Sequence, residues 1–155
     1  MTAHSIADIF QNEALFCALL GWLMAQTLKF LLYGALEGKL DFRRFVGSGG
    51  MPSSHSAMVV ALTMMVGFMR GFETVEFAVC AVLAMIVMYD AAGVRRATGN
   101  QTVVINQILR DVLINGKPIT DEELKELIGH TPLEVLGGAI LGILVALGYW
   151  ALWIP

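Results

Sequence analysis

The apolar positions of this chain fall in long blocks, with neither the strict alternation of a half-buried strand nor the narrow stripe of a surface helix. The first block runs from Glu13 to about Leu36, and Lys29 stands about two-thirds of the way along it. The second runs from Pro52 to Arg70 and the third from about Val75 to Ala92. The last begins after HTPLE and continues to the C-terminus. At ~1.5 Å rise per residue the first block is long enough to cross a bilayer core, and the others read as spans of the same kind.

The polar intervals between these blocks are also legible. Residues 1–11 read as a polar start or a short interfacial helix. Residues 37–51 form a polar loop, and RGFETVE is a short connection. Residues 101–129 are the least apolar part of the chain. There TVVINQILRDVL suits a modestly amphipathic helix, and Asn115 to Pro118 is a turn. Thr120 and Glu123 have capping-box spacing, so a short surface helix is expected, stopped by Gly129. Gly34 and Gly38, and again Gly138 and Gly142, stand at the spacing of a close-packing helix face. Trp150 and Trp153 sit where interfacial aromatics belong. The expected fold is an all-α polytopic membrane bundle of about four transmembrane helices with short cytoplasmic helices. It forms one domain over residues 1–155.

Composition agrees with the pattern. Of the 155 residues 57% are hydrophobic and 15% charged, too apolar for a soluble domain of this size. A net charge of −3 argues against a general nucleic-acid binder. Cys17 and Cys80 lie in apolar runs and read as small buried hydrophobes, and the nine methionines as core. The start MTAHSIADIF lacks the basic region of a secretory signal.

Charge then orients the spans. The loops joining spans one to two and three to four lie on one side. They hold Lys39, Arg43, Arg44, Arg95, Arg96, Arg110, Lys117 and Lys125, against Arg70 on the other side. The positive-inside rule puts that side in the cytoplasm and both termini outside, in a bacterial-type plasma membrane.

Candidate chemistry collects on the same side. Residues 47–57 read GSGGMPSSHSA. Glycines such as Gly50 let a backbone bend tightly against a ligand. Pro52, Ser53 and Ser54 mark a helix start, whose N–H groups and dipole favour an anion such as phosphate. His55 would stand in the first turn. Lys29, Asp90, Arg95, Arg96, His130 and Glu134 fall in the same layer. Phosphoryl chemistry needs cations and N–H donors on the phosphate oxygens, a nucleophile and an acid for the leaving oxygen. Two histidines can divide the last two roles near neutral pH.

Three stretches, GGMPSSHSA, YDAAGVRRATGNQ and GHTPLEVLGGA, resemble the divergent membrane branch of the type 2 phosphatidic acid phosphatase and vanadium haloperoxidase superfamily. The superfamily signatures are K-x6-R-P, P-S-G-H and S-R-x5-H-x3-D. The resemblance implies a helical, metal-free lipid-phosphate phosphatase with no cofactor. It implies that His130 attacks phosphorus, that Glu134, in the place of the family's aspartate, orients it, and that His55 protonates the leaving group. It also implies that lysine and arginine side chains hold the phosphate. No K-x6-R-P occurs, and Lys29 or Lys39 with Arg43 or Arg44 are the candidates to replace it. Ser54 replaces the glycine of P-S-G-H, and Arg95 and Arg96 lie far upstream of His130.

Each site residue has a plainer reading beside this one. His55 could be a surface residue of a helix start, and His130 an interfacial loop residue. Glu134 completes a capping box with Thr131, with Pro132 at the first helical position, so capping and orienting His130 compete for one carboxylate. Asp90 could pair with Arg95, Arg96 or Lys29 or serve the site. Adjacent arginines diverge by about 100° on a helix, so one of Arg95 and Arg96 faces the phosphate, with Arg95 favoured. Gln101 and Asn106 fit an exposed face better than the site. Expected substrates are phosphatidylglycerol phosphate, phosphatidic acid or an isoprenoid phosphate. The glycine pairs are compatible with a homodimer. The alternative is a non-catalytic membrane protein that binds or transports a phosphorylated lipid. A metal-dependent phosphotransferase using Asp90 and Glu134 is weaker, because few carboxylates cluster.

Overall fold

The computed structural model describes residues 5–38, 50–93, 101 and 130–154. All regular structure among them is helical. A 3-10 helix, Ile6–Gln11, precedes four α-helices: α1 (Glu13–Glu37), α2 (Ser54–Arg70), α3 (Val75–Ala92) and α4 (Pro132–Trp153). Three of these, α1, α3 and α4, are long and apolar enough to cross a membrane. The expected surface helix before Gly129 lies outside the described residues.

Local chemistry sets the ends of each helix. Asn12 accepts from the Leu15 N–H at 3.0 Å to start α1. Gly38 ends it in the left-handed region, φ 66°, with its N–H on the Gly34 carbonyl. Ser53, Thr74 and Thr131 cap the other three helices. Pro52 therefore lies just ahead of the α2 cap, and Pro132 occupies the first turn of α4.

The shortest α-helix among the described residues, α2, is the hub. It packs against α1, α3 and α4, and α4 also meets α1 and α3. Its 17 residues cover about 25 Å, short of a full hydrocarbon core. The surrounding helices keep much of it from lipid, so it can carry polar residues that a lipid-facing helix could not. Its buried residues are small: Ser54, Ser56, Ala57 and Ala61 among them. By contrast α3 buries only Ala84 and Ala91, and its Val79, Val82, Leu83, Met85 and Ile86 face outward.

Small residues fix the register. A side chain on Gly142 of α4 would stand 2.6 Å from the Ala57 carbonyl oxygen, and one on Gly138 2.3 Å from that of Ser53. A side chain on Gly21 of α1 would stand 3.0 Å from both the Ala57 oxygen and the Ala61 Cβ. Hence α2 and α4 run parallel with backbones nearly touching, and α1 runs antiparallel to α2 on its other flank. The expected face at Gly138 and Gly142 is therefore used within the chain, against α2. The expected pair at Gly34 and Gly38 is corrected, because Gly38 is a helix stop with open space around it. The packing glycine of α1 is Gly21.

Hydrogen bonds add a few ties. The Thr63 hydroxyl reaches the Val59 carbonyl at 2.7 Å and the Cys80 carbonyl of α3 at 3.1 Å. At the end of the bundle where α1 starts, the Tyr149 hydroxyl donates to the Glu13 carboxylate. Phe68, Phe72, Phe77 and Trp150 stack edge or tilted there, at 5.1–5.7 Å between centroids. That aromatic group closes this end of the bundle. The candidate site residues gather at the other end, where α1 ends and α2 and α4 begin.

Candidate functional site

The site is built where α1 ends and where α2 and α4 begin. Gly50 has φ 82°, a conformation that only glycine adopts at little cost. A side chain there would also stand 3.5 Å from the Lys29 stem. The lysine stem thus lies directly over the bend. Past Met51 and Pro52, the Ser53 N–H donates to the Glu134 carbonyl at 2.9 Å, which docks the start of α2 on the first turn of α4. Ser53 Oγ accepts from the Ser56 N–H at 3.4 Å and lies 3.1 Å from Ser56 Oγ. Ser53, Ser54 and Ser56 are all buried.

His130 is held from two directions. Its N–H donates to the Ala91 carbonyl at 3.1 Å, so the last turn of α3 fixes its backbone. Its Nδ1 lies 2.9 Å from Glu134 Oε2. The same oxygen accepts from the Thr131 N–H at 3.2 Å, while the Glu134 N–H donates to Thr131 Oγ1 at 3.3 Å. The expected competition between capping and orienting is thereby corrected. A carboxylate oxygen has two lone pairs and serves both donors at once. His130 itself is 3% exposed. With Nδ1–H donated to a carboxylate, Nε2 is the ring nitrogen with a lone pair for other work.

His55 stands in the first turn of α2 and is exposed. Its ring centroid is 6.3 Å from that of His130, with the planes at 64°. Lys29 is 7% exposed, and its Nζ has no hydrogen-bond partner among the described residues. Its charge interacts with that of Glu134 at the start of α4.

The sequence-predicted residues divide cleanly. His55, His130, Glu134, Lys29, Gly50, Ser53 and Ser54 come together at one end of the bundle. Asp90 is half-buried in the last turn of α3, next to the Ala91 carbonyl that holds His130. Gln101 is exposed, as its composition suggested. Lys39, Arg43, Arg44, Arg95, Arg96 and Asn106 lie outside the described residues. No group of three His, Cys, Asp or Glu at metal-binding spacing occurs among the described residues.

One residue was missed by sequence reasoning. Gln26 is 3% exposed, and its Oε1 has no partner among the described residues. It lies three positions before Lys29, on the same helix face. A glutamine inside an apolar span, one turn from an intramembrane lysine, was the available signal.

The model of the Divergent PAP2 family matches residues 10–145. The uncharacterized membrane protein YuiD of Bacillus subtilis (strain 168) is 38% identical over 150 residues, covering 90% of this chain and 95% of that protein. No solved structure matches the chain.

Proposed function

The chain belongs to the Divergent PAP2 family, and on that premise we propose that it is a membrane lipid-phosphate phosphatase working through a phosphohistidine. The observation that carries the reading is the pair of histidines 6.3 Å apart, one buried and bound to Glu134 and the other exposed. A structural role would not need a buried imidazole held by a carboxylate opposite a second imidazole.

In this reading His130 Nε2 attacks phosphorus, forming the N–P bond as the bond to the leaving alkoxide breaks. His55, in its protonated form, gives that alkoxide its proton. Water then attacks the phosphohistidine, His55 takes the proton from the water, and inorganic phosphate leaves with His130 regenerated. Glu134 steadies the positive charge that His130 gains in the first step. Lys29 stabilises the phosphate oxygens, because a buried ammonium with no hydrogen-bond partner among the described residues is costly unless a ligand anion completes it. Lys39, Arg43, Arg44, Arg95 and Arg96 are the further cations of this reading, with Ser53 and Ser54 at the helix start that faces the anion.

The excess of Lys and Arg on the loops at this end supports a cytoplasm-facing site. A site on that face suits an intermediate made there, such as phosphatidylglycerol phosphate, ahead of phosphatidic acid or isoprenoid phosphates. The test is phosphate release from these lipids by the purified protein in detergent, with EDTA present, against His130→Ala. Release that survives EDTA and vanishes in the variant is the expected result. No release from any lipid by wild type would transfer the reading to a protein that binds or carries phosphorylated lipids.

A further inference from the structure

We infer that Gln26 is a specificity residue, and that the preferred substrate is a phosphate monoester whose leaving alcohol bears a second, free hydroxyl. The inference rests on the phosphatase reading above and names the substrate class for that same site.

The starting point is an unmet hydrogen bond. Gln26 Oε1 is buried in α1, and no described residue donates to it. Burying an amide oxygen without a donor is costly, and an apolar residue would remove that cost. Such a group is explained when a ligand supplies the donor. The same accounting holds for Lys29 Nζ, one helical turn away. The two lack opposite partners: the lysine lacks an acceptor and the glutamine lacks a donor. A phosphate dianion satisfies the first and cannot satisfy the second, since it only accepts. A ligand that presents a donor beside its phosphate satisfies both groups at once.

The depth of Gln26 says where that donor lies. Lys29 is level with Gly50 at the bend, and Gly21 is level with Ala57, one turn into α2. Gln26 falls between them along α1, on the same buried face. It is thus deeper in the bundle than the lysine by about 4.5 Å, three residues at 1.5 Å each. A lipid phosphomonoester entering this end places its terminal phosphate outermost and its leaving alcohol next. A hydroxyl on that alcohol then sits at the level of Gln26 Oε1. A glycerol-type headgroup has such a hydroxyl, whereas the diacylglycerol of phosphatidic acid and an isoprenoid alcohol have none free.

The experiment compares wild type with Gln26→Met, which keeps length and helix preference but cannot hydrogen-bond. Phosphate release is measured on phosphatidylglycerol phosphate and on phosphatidic acid of the same acyl chains. Wild type is expected to favour the hydroxylated headgroup. Gln26→Met is expected to lower kcat/KM for that lipid roughly ten-fold and to change it less than about two-fold for phosphatidic acid. Melting of the ligand-free variant in detergent should occur at or above the wild-type temperature, because an unpaired buried oxygen has been removed. Equal losses on both lipids, no loss on either, or a destabilised variant would overturn the assignment of Gln26 while leaving the phosphatase reading standing. Failure of wild type to release phosphate from either lipid would overturn that reading and this one together.

Discussion

Substituting Gly138 by alanine tests the contact on which the site depends. The new Cβ would stand 2.3 Å from the Ser53 carbonyl oxygen and 2.9 Å from Ser56 Cβ. Ordinary contact needs about 1 Å more than the first of these distances allows. The oxygen is backbone and Ser53 is the cap of α2, so the neighbour cannot rotate away. The helices must part instead, and the bond from Ser53 N–H to the Glu134 carbonyl stretches with them. Overpacking of this kind costs about 1–3 kcal/mol and the bond about 1 kcal/mol. Alanine returns about 0.5–1 kcal/mol of helix preference. The net loss is about 1–3 kcal/mol. A shift of about 1 Å between α2 and α4 also moves His55 relative to His130, which can cost about 100-fold in turnover. The control is Gly148→Ala on the same helix, where a side chain meets nothing within 4 Å. Thermal unfolding in detergent and phosphate release are read side by side. Equal melting and equal turnover for the two variants would refute the close approach of α2 and α4.

Three further outcomes follow from the site. Glu134→Gln keeps a capping-box side chain but removes the charge that steadies His130, so turnover should fall by at least about ten-fold with little change in melting; a large drop in melting would assign Glu134 to the cap alone. Lys29→Met should leave stability unchanged or raised, since the ammonium has no hydrogen-bond partner among the described residues, while weakening phosphate binding, read as a rise in KM or loss of vanadate inhibition. His55→Ala should slow release from alkyl phosphates far more than from aryl phosphates, whose leaving groups need no proton; equal slowing would remove His55 from the acid role.

Much of this molecule was readable without coordinates. The spans beginning at Glu13 and Val75 start where the apolar blocks start, because block length and capping residues are local properties. The bend at Gly50 to Ser53 was legible because glycine, proline and serine each have a specific backbone use. Gly38 was misread because the same small residue at the same spacing either packs a helix or stops one. Only its left-handed backbone and empty surroundings separate the two. Glu134 was half legible: the capping box was plain, but its service to His130 depends on which way the imidazole turns. Gln26 was passed over because a neutral amide weighs little in hydropathy. Its burial depends on which face of α1 meets α2.

The sequence by itself determined that the chain is a helical membrane protein with its polar residues at one end of the spans. Helix length and end chemistry follow from neighbours along the chain. Tertiary structure alone decided that α2 lies at the centre, that α2 and α4 run in contact, and that His55 stands 6.3 Å from His130. Those facts depend on the rotation and register of helices far apart in sequence. Here the register is set by backbone lying against glycine at Gly21, Gly138 and Gly142, a fit that exists only once the helices have met.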